Sequence, residues 1–360
     1  MITVPYTKEG YLDVEAVERM TASTPFVFVI GSRQCGKTYG ITRSLFAAGR
    51  RPVIVRRTKA ERLKFANDQL SPISAVTKQY TGVAADDIVT LYKRDPEAPN
   101  GREEAPAGWV IDLNTASHRG FTMPEFDAVF YDECVPEQHA GGARDYQHAE
   151  TFFNLLITLF ANDERFLEQK EHPKVWIVGN SNSISAAIFN VFKISRTIER
   201  MLATGREVYI SPQRALAIFL TEAQARAEIR SRMPLMRVAA DSAVKSMALH
   251  NTFGGDVAGI RGWPLREFRA LASFRGDYES FTVWLHKRSS PSLIYVTRGA
   301  FPARHQLPNS SEAFTQLGKA TAFKSRREFW YLVLHANSGV NAFYDSLQSK
   351  QWFTRMRRGR

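Results

Sequence analysis

Residues 26 to 40 read FVFVIGSRQCGKTYG, and few stretches of this length restrict a fold so tightly. An apolar run, Phe26 to Ile30, stops at Gly31, and Gly36, Lys37 and Thr38 complete the pattern G-x-x-x-x-G-K-[ST]. The order has a physical logic. A buried strand delivers the chain to a tight loop, Gly31-Ser32-Arg33-Gln34-Cys35-Gly36, whose backbone N–H groups can wrap a phosphate. Glycine removes the side chains that would hold the anion off. A helix starting at Lys37 then turns the positive end of its dipole onto the same anion. In this reading Lys37 reaches the terminal phosphates and Thr38 supplies an oxygen to Mg²⁺. A plain turn followed by a solvated lysine would carry the same letters, and placement directly after a strand argues against it.

Around this motif short β-rich runs alternate with amphipathic stretches, the pattern of an α/β domain built on a mostly parallel sheet. The runs predict strands at Phe26–Ile30, Val53–Arg56, Ile88–Tyr92, Trp109–Leu113, Ala128–Tyr131, Val175–Gly179 and Glu207–Ile210. The Pro- and Gly-rich PEAPNGREEAPAG predicts a hairpin loop, and Glu150–Phe160 a buried helix. Residues 221–250, rich in Ala and Arg, read as a helical linker. Beyond them strands are predicted at Phe281–His286 and Leu293–Thr297, and helices at Arg326–His335 and Asn341–Arg357.

The 360 residues suit two domains, and no apolar run approaches the length of a membrane span. The first residues, MITVPYTKEGYLD, lack the basic and apolar regions of a signal peptide. Cys35 and Cys134 form no zinc or disulfide pattern, so a reducing cytoplasm is the expected setting. Charge is unevenly spread. Residues 1–260 hold 31 Lys and Arg against 30 Asp and Glu, whereas residues 261–360 hold 17 against 6. That basic, aromatic-rich end reads as a nucleic-acid surface rather than only a solubilising face.

A phosphate loop alone does not separate kinases, GTPases and motors; the stretch FDAVFYDECVPE does more. The strand Ala128–Tyr131 ends at Asp132, placed to hold a Mg²⁺ shell, and Glu133, placed to orient and deprotonate a water. Such a pair suits hydrolysis by the additional-strand class of P-loop NTPases. VWIVGNSNS ends a further strand at Asn180, which in a parallel sheet would lie beside Asp132 and sense the γ-phosphate. The transition state also needs a cation from outside the loop. Arg56 and Arg57, on a strand expected to neighbour Phe26–Ile30, are candidates, as are Arg119 and Arg165.

Taken together, GSRQCGKT, VIVRRTKAE, VFYDE, FFNLLITLFANDERF and VGNSNS resemble, in that order, the phi-29-type bacteriophage DNA-packaging (encapsidation) ATPases, relatives of the large-terminase motors. The resemblance covers roughly residues 26–200, with a weaker echo in SLIYVTRGAF and the basic C-terminus. It implies a P-loop ATPase domain over 1–220, a helical linker over 221–262 and a small RNase H-like α/β domain over 263–360. It also implies a homomeric ring, a pentamer, at the portal of an empty prohead in the host cytoplasm. ATP, Mg²⁺, double-stranded DNA and the portal are the implied partners, with a scaffold RNA as a further candidate. By position Lys37, Thr38, Asp132 and Glu133 match the family motifs, and Arg119 falls where the family carries a trans-acting cation. Another finger position is Ala161 here, with Arg165 four residues on.

The two C-terminal β-runs, FTVWLH and LIYVT, contain no carboxylate, so nuclease activity is not expected. The domain reads instead as a binder of nucleic acid through Lys287, Arg288, Arg298, Lys324, Arg326, Arg327, Arg355, Arg357 and Arg358. Two other classes stand against the motor: a monomeric nucleotide kinase or other P-loop ATPase, and a nucleic-acid-binding protein that holds nucleotide without turning it over.

Overall fold

The computed structural model describes residues 2–31, 35–114, 126–136, 143–161, 173–180, 186–221, 265–276, 279–287, 294–303, 305–309, 342–344, 349–350 and 352–353. The chain divides into two compact units. One comprises Met1–Gln138, Gly142–Asn182 and Arg200–Gly254; the other comprises His139–Gly141, Ser183–Glu199 and Gly255–Arg360.

The first unit is built on strands β1 (Phe26–Gly31), β2 (Pro52–Arg56), β3 (Tyr80–Ala85), β4 (Ile88–Arg94), β5 (Arg102–Asp112), β6 (Ala128–Tyr131), β7 (Lys174–Asn180), β8 (Val208–Ile210) and β9 (Leu216–Thr221). Among the described residues they form one sheet in the order β3-β4-β5-β2-β6-β7-β1-β9-β8. The run β5-β2-β6-β7-β1-β9 is parallel throughout, and β4 and β8 join its ends antiparallel. Buried on both faces, these central strands read as unbroken apolar runs; Val27, Phe28, Val29 and Ile30 are all fully buried.

Each predicted strand is present, and β4 and β5 do form an antiparallel pair, although only the first half of PEAPNGREEAPAG is loop: Arg102–Gly108 already belongs to β5. Two expectations change. Strand β2 does not neighbour β1, because β6 and β7 stand between them. Strands β3 and β9 also join the sheet; β9 (LAIFLT) is a buried apolar run lying against β1.

Helices cover both faces. Helices α1 (Val14–Met20) and α2 (Lys37–Ala47) pack Val14, Val17, Ile41, Leu45 and Phe46 onto the face presented by Val27, Val29, Phe130 and Trp176. Strand alternation sends Tyr131 to the opposite face, where its ring lies 4.5 Å from that of Phe152. Phe152 belongs to α4 (Ala143–Ala161), whose buried residues Asp145, His148, Ala149, Phe152, Leu155, Leu156 and Leu159 repeat at helical spacing. The shorter α3 (Lys59–Leu63) starts from a capping box between Thr58 and Glu61 and sits beside β2 and β5. There Arg62 and Asp112, both wholly buried, form an ion pair at 3.0 Å.

The second unit contains α5 (Ala187–Val191), the start of α6 (Ser195–Thr204) and a smaller sheet. Strands β10 (Phe268–Arg275), β11 (Phe281–His286), β12 (Ile294–Arg298), β13 (His305–Pro308) and β14 (Ala342–Tyr344) run in the order β13-β10-β11-β12-β14. Strands β10, β11 and β12 are successively antiparallel, while β13 and β14 lie parallel to β10 and β12. This is the small C-terminal sheet expected, with a first strand, β10, that the sequence reading missed. The helix expected over Asn341–Arg357 is corrected at its start, where Ala342–Tyr344 pairs with β12 instead. Trp352 is buried, its ring 4.6 Å from that of Phe281 and its Nε1 donating to Asn309 Oδ1 at 2.7 Å. The helix expected at Arg326–His335 lies outside the described residues, as does the 221–250 linker apart from Thr221, which ends β9.

Candidate active site

The parallel strands of the first unit end together, and that register assembles the site. Gly31 at the tip of β1 pairs with Asn180 on β7 and with Thr221 on β9. Strand β7 in turn brings β6 alongside, with Tyr131 opposite Ile177, so the acids that follow β6 face the same edge.

Gly31 is required by close approach. A Cβ there would stand 1.8 Å from Thr221 Oγ1 and 2.3 Å from the Thr221 carbonyl oxygen. At the far end of the loop Gly36 is the N-cap of α2 with φ +82°, in the left-handed region that glycine adopts without cost. It offers no side chain to cap the helix, so the first-turn N–H groups of α2 remain a cradle for an anion.

Lys37 is buried, and its Nζ donates to the Gly31 carbonyl at 3.0 Å and to Asn180 Oδ1 at 3.5 Å. Cys35 Sγ lies 3.6 Å from the same nitrogen and 3.4 Å from Thr221 Oγ1. The Thr38 hydroxyl lies 3.0 and 3.1 Å from the two carboxylate oxygens of Asp132. Hydroxyl and carboxylate thus converge as hard oxygen donors, a set that fits Mg²⁺.

Arg56, buried at the end of β2, bridges both acids: NH1 donates to Asp132 Oδ2 and NH2 to Glu133 Oε2 at 3.0 Å. Glu133 has φ +58°, an uncommon backbone conformation for a residue with a side chain. Asp132 Oδ1 accepts from the Glu133 N–H at 3.0 Å, and Cys134 N–H donates to the Val178 carbonyl at 2.8 Å. These bonds on either side of the outlier hold it in place. The loss of water around the half-exposed Glu133 carboxyl raises its pKa above the usual carboxylate value, with Arg56 pulling the other way.

Arg57, the neighbouring candidate, turns elsewhere. Its guanidinium donates to Asp145 Oδ1 at 3.1 and 3.2 Å and to the Cys134 carbonyl at 3.2 Å. It therefore ties α4 to the segment after Glu133, and Arg56 is the arginine that meets the acids. On the same helix His148 Nε2 and Arg144 NH2 meet Asn114 Oδ1 at 2.7 and 3.4 Å, just past the end of β5. Burial, and after it Arg57 and Arg144, push the His148 pKa down to about 4.

Gly31, Cys35, Gly36, Lys37, Thr38, Asp132, Glu133 and Asn180 are thus brought to one edge of one sheet. Thr221 and Asp145 were missed. The apolar run LAIFL before Thr221 was a legible strand signal, whereas nothing local marks Asp145 as the partner of Arg57. Ser32, Arg33, Gln34, Arg119 and Arg165 lie outside the described residues, as do Arg288, Lys324, Arg326, Arg327, Arg355, Arg357 and Arg358. In the second unit Lys287 Nζ donates to the Arg266 carbonyl at 2.7 Å, and Arg298 NH1 lies 3.4 Å from Glu199 Oε2.

No protein-family profile and no curated protein matches this chain. Solved structures do. The Phi-28 gp11 DNA packaging motor aligns over 94% of this chain and 95% of its own, with TM-score 0.54 and 14% identity. The bacteriophage Phi-29 viral genome packaging motor assembly aligns over 96% and 99%, with TM-score 0.56 and 15% identity. The chain has the fold of the phage packaging motors. A looser likeness, TM-score 0.38 at 13% identity, links it to the large terminase of a thermophilic bacteriophage in complex with ATP-γ-S. In this packaging-motor fold one strand, β7, separates the phosphate-loop strand β1 from the strand that leads to Asp132 and Glu133, the arrangement expected of the additional-strand P-loop class.

Proposed function

We propose that this chain is an ATP-hydrolysing motor subunit that drives double-stranded DNA into an empty viral capsid. The observation that carries the reading is the meeting of Lys37 and Thr38 with Asp132 and Glu133 at one sheet edge, although Thr38 and Asp132 stand 94 positions apart. Lys37, held by the Gly31 carbonyl and Asn180, has only to exchange those oxygens for phosphate oxygens. The α2 N-terminus binds the same phosphates through its backbone. Thr38 and Asp132 would hold Mg²⁺, which, when bound, neutralises phosphate charge. Glu133 orients the attacking water and accepts its proton. Asn180, within reach of Lys37, is suited to sense the terminal phosphate.

In this reading subunits form a homomeric ring, a pentamer, at the portal of a prohead in the host cytoplasm. Arg119 supplies the trans-acting cation to a neighbouring subunit. The C-terminal unit grips the phosphate backbone through Lys287, Arg298 and the basic positions beyond them, so binding is largely indifferent to base sequence and weakens with salt. A scaffold RNA would engage the same basic surface. Similarity of fold to two packaging motors and the excess positive charge of residues 261–360 support this assignment. Among the described residues no helix is long and apolar enough to cross a membrane.

The deciding experiment is an ATPase assay with and without duplex DNA and purified proheads, run beside size-exclusion chromatography. DNA-stimulated turnover by a ring supports the motor. Turnover by a monomer indifferent to DNA replaces it with a nucleotide kinase or similar enzyme. Nucleotide binding with no turnover leaves only a binding module.

A further inference from the structure

The second compact unit holds a cavity of about 280 Å³. Its walls come from two stretches far apart in sequence. Asn190, Lys193, Ser195 and Arg196 belong to the end of α5 and the start of α6, and Glu279 and Arg298 flank β11 and end β12. By sequence the first group falls in the ATPase half of the chain; by packing it belongs with the basic C-terminal sheet.

The lining has a definite chemical character. Its floor is a fixed polar chain in which Ser195 Oγ donates to Asn190 Oδ1 at 2.7 Å and Asn190 Nδ2 donates to Glu279 Oε2 at 3.1 Å. All three of these residues are buried. Among the described residues three cations, Lys193, Arg196 and Arg298, line the cavity with one carboxylate, that of Glu279. Lys193 and Arg196 are both exposed, while Arg298 also meets Glu199 at 3.4 Å. Helix α6 begins at Ser195, so the positive end of its dipole adds to theirs.

Lys193 stands out by its backbone. Helix α5 closes with the Ile194 N–H on the Phe189 carbonyl at 2.8 Å and the Lys193 N–H on the Asn190 carbonyl at 3.0 Å, a Schellman arrangement. Lys193 occupies its left-handed position, φ +56°, where glycine is the residue without strain. The chain keeps a long cation there instead, lining a cavity that two arginines also line, and strained backbone positions cluster at functional sites.

We propose that this cavity seats a phosphodiester group of a nucleic-acid backbone, with Lys193 and Arg196 as its contacts. Arginine forks match the geometry of phosphate oxygens, and a lysine adds a point charge. The proposal rests on the reading of the C-terminal unit as a nucleic-acid surface and extends it to a segment, 186–199, that precedes the basic region. The site does not depend on nucleotide hydrolysis.

The test is fluorescence anisotropy of the full-length chain with labelled duplex DNA and, separately, labelled RNA, titrated with salt between about 50 and 200 mM. Lys193→Gly relieves the left-handed strain, so its Tm stays level or rises while its affinity falls. The double variant Lys193→Gly/Arg196→Ala loses about one unit of salt slope for each contact removed. Lys193→Arg keeps the charge and binds as the parent does. A loss seen with DNA alone or with RNA alone supports the site and names its polymer. Affinity and slope unchanged for both polymers overturn the site alone. A parent chain that binds neither polymer overturns the reading beneath it as well.

Discussion

Arg56 NH2 lies 3.0 Å from Glu133 Oε2, while NH1 of the same guanidinium is bonded to Asp132. One buried cation therefore fixes both acids, the one proposed to activate water and the one proposed to hold metal. Arg56 is well buried and Asp132 is 4% exposed, so neither charge is balanced by solvent if the other is removed.

Removal of the guanidinium should therefore cost stability as well as activity. Arg56→Ala leaves Asp132 buried without its cation, and a loss of about 3–5 kcal/mol is expected. Arg56→Lys restores charge but not the fork that spans two carboxylates, so it should recover stability in part and turnover poorly. Thermal denaturation and phosphate release, measured on both variants, check this. A Tm for Arg56→Ala equal to that of the parent would show that the bridge contributes little.

The proposed water-activating role makes two linked demands on Glu133. Glu133→Gln should bind ATP as the parent does and hydrolyse it about 100-fold more slowly or worse, since general-base contributions are of that order. The carboxylate must also be ionised to act. Because its pKa is raised, kcat should fall on the acid side above the ordinary glutamate value of 4.5. A kcat with no acid limb, or with one centred at or below 4.5, contradicts the assignment of the base.

Gly31→Ala tests the packing beneath the phosphate loop. Its Cβ would meet both the hydroxyl and the backbone carbonyl of Thr221, so the tips of β1 and β9 must part. A loss of roughly 1–3 kcal/mol with weakened nucleotide binding is expected. Thr221→Ala in the same chain removes the hydroxyl and leaves the carbonyl oxygen, 2.3 Å away, so rescue should be incomplete. Full recovery in the double variant would place the whole conflict in the side chain.

His148 gives the fold a pH dependence of definite sign. Its folded pKa of about 4 lies below the unfolded value of 6.5, so between these values the unfolded chain takes up a proton that the native state refuses. Its contribution is complete above pH 6.5 and is lost as pH falls toward 4, up to roughly 3 kcal/mol. His148→Gln should flatten that part of the stability profile in urea titrations at stepped pH. An unchanged profile would show that other groups set the acid sensitivity.

Much of the site could be read from local order. Apolar runs long enough for buried strands, each followed by Gly31, by Asp132 and Glu133, or by Asn180, are a local pattern, because a parallel sheet presents its strand ends at one edge. The helix from Lys37 follows from the same logic. Strand β9 went unread because LAIFLT runs directly into an Ala- and Arg-rich stretch of helical character, and β14 because three strand residues sit inside a helical pattern. Local propensity yields there to pairing with a distant strand.

By itself the sequence determined that a phosphate loop and an acidic pair sit at the ends of buried strands, and that positive charge gathers in the last hundred residues. Only the tertiary structure decided the order in which those strands lie. That order puts Asn180 beside Gly31 and brings Thr221 against it. It carries β2 away from β1 and toward β6, so that Arg56 reaches Asp132 and Glu133 while Arg57 turns to Asp145. It also folds residues 186–199 in with the basic unit, setting Lys193 and Arg196 near Arg298. These are long-range pairings, and neighbouring residues do not encode them, because strand order is settled by which apolar faces and edges fit together across the whole chain.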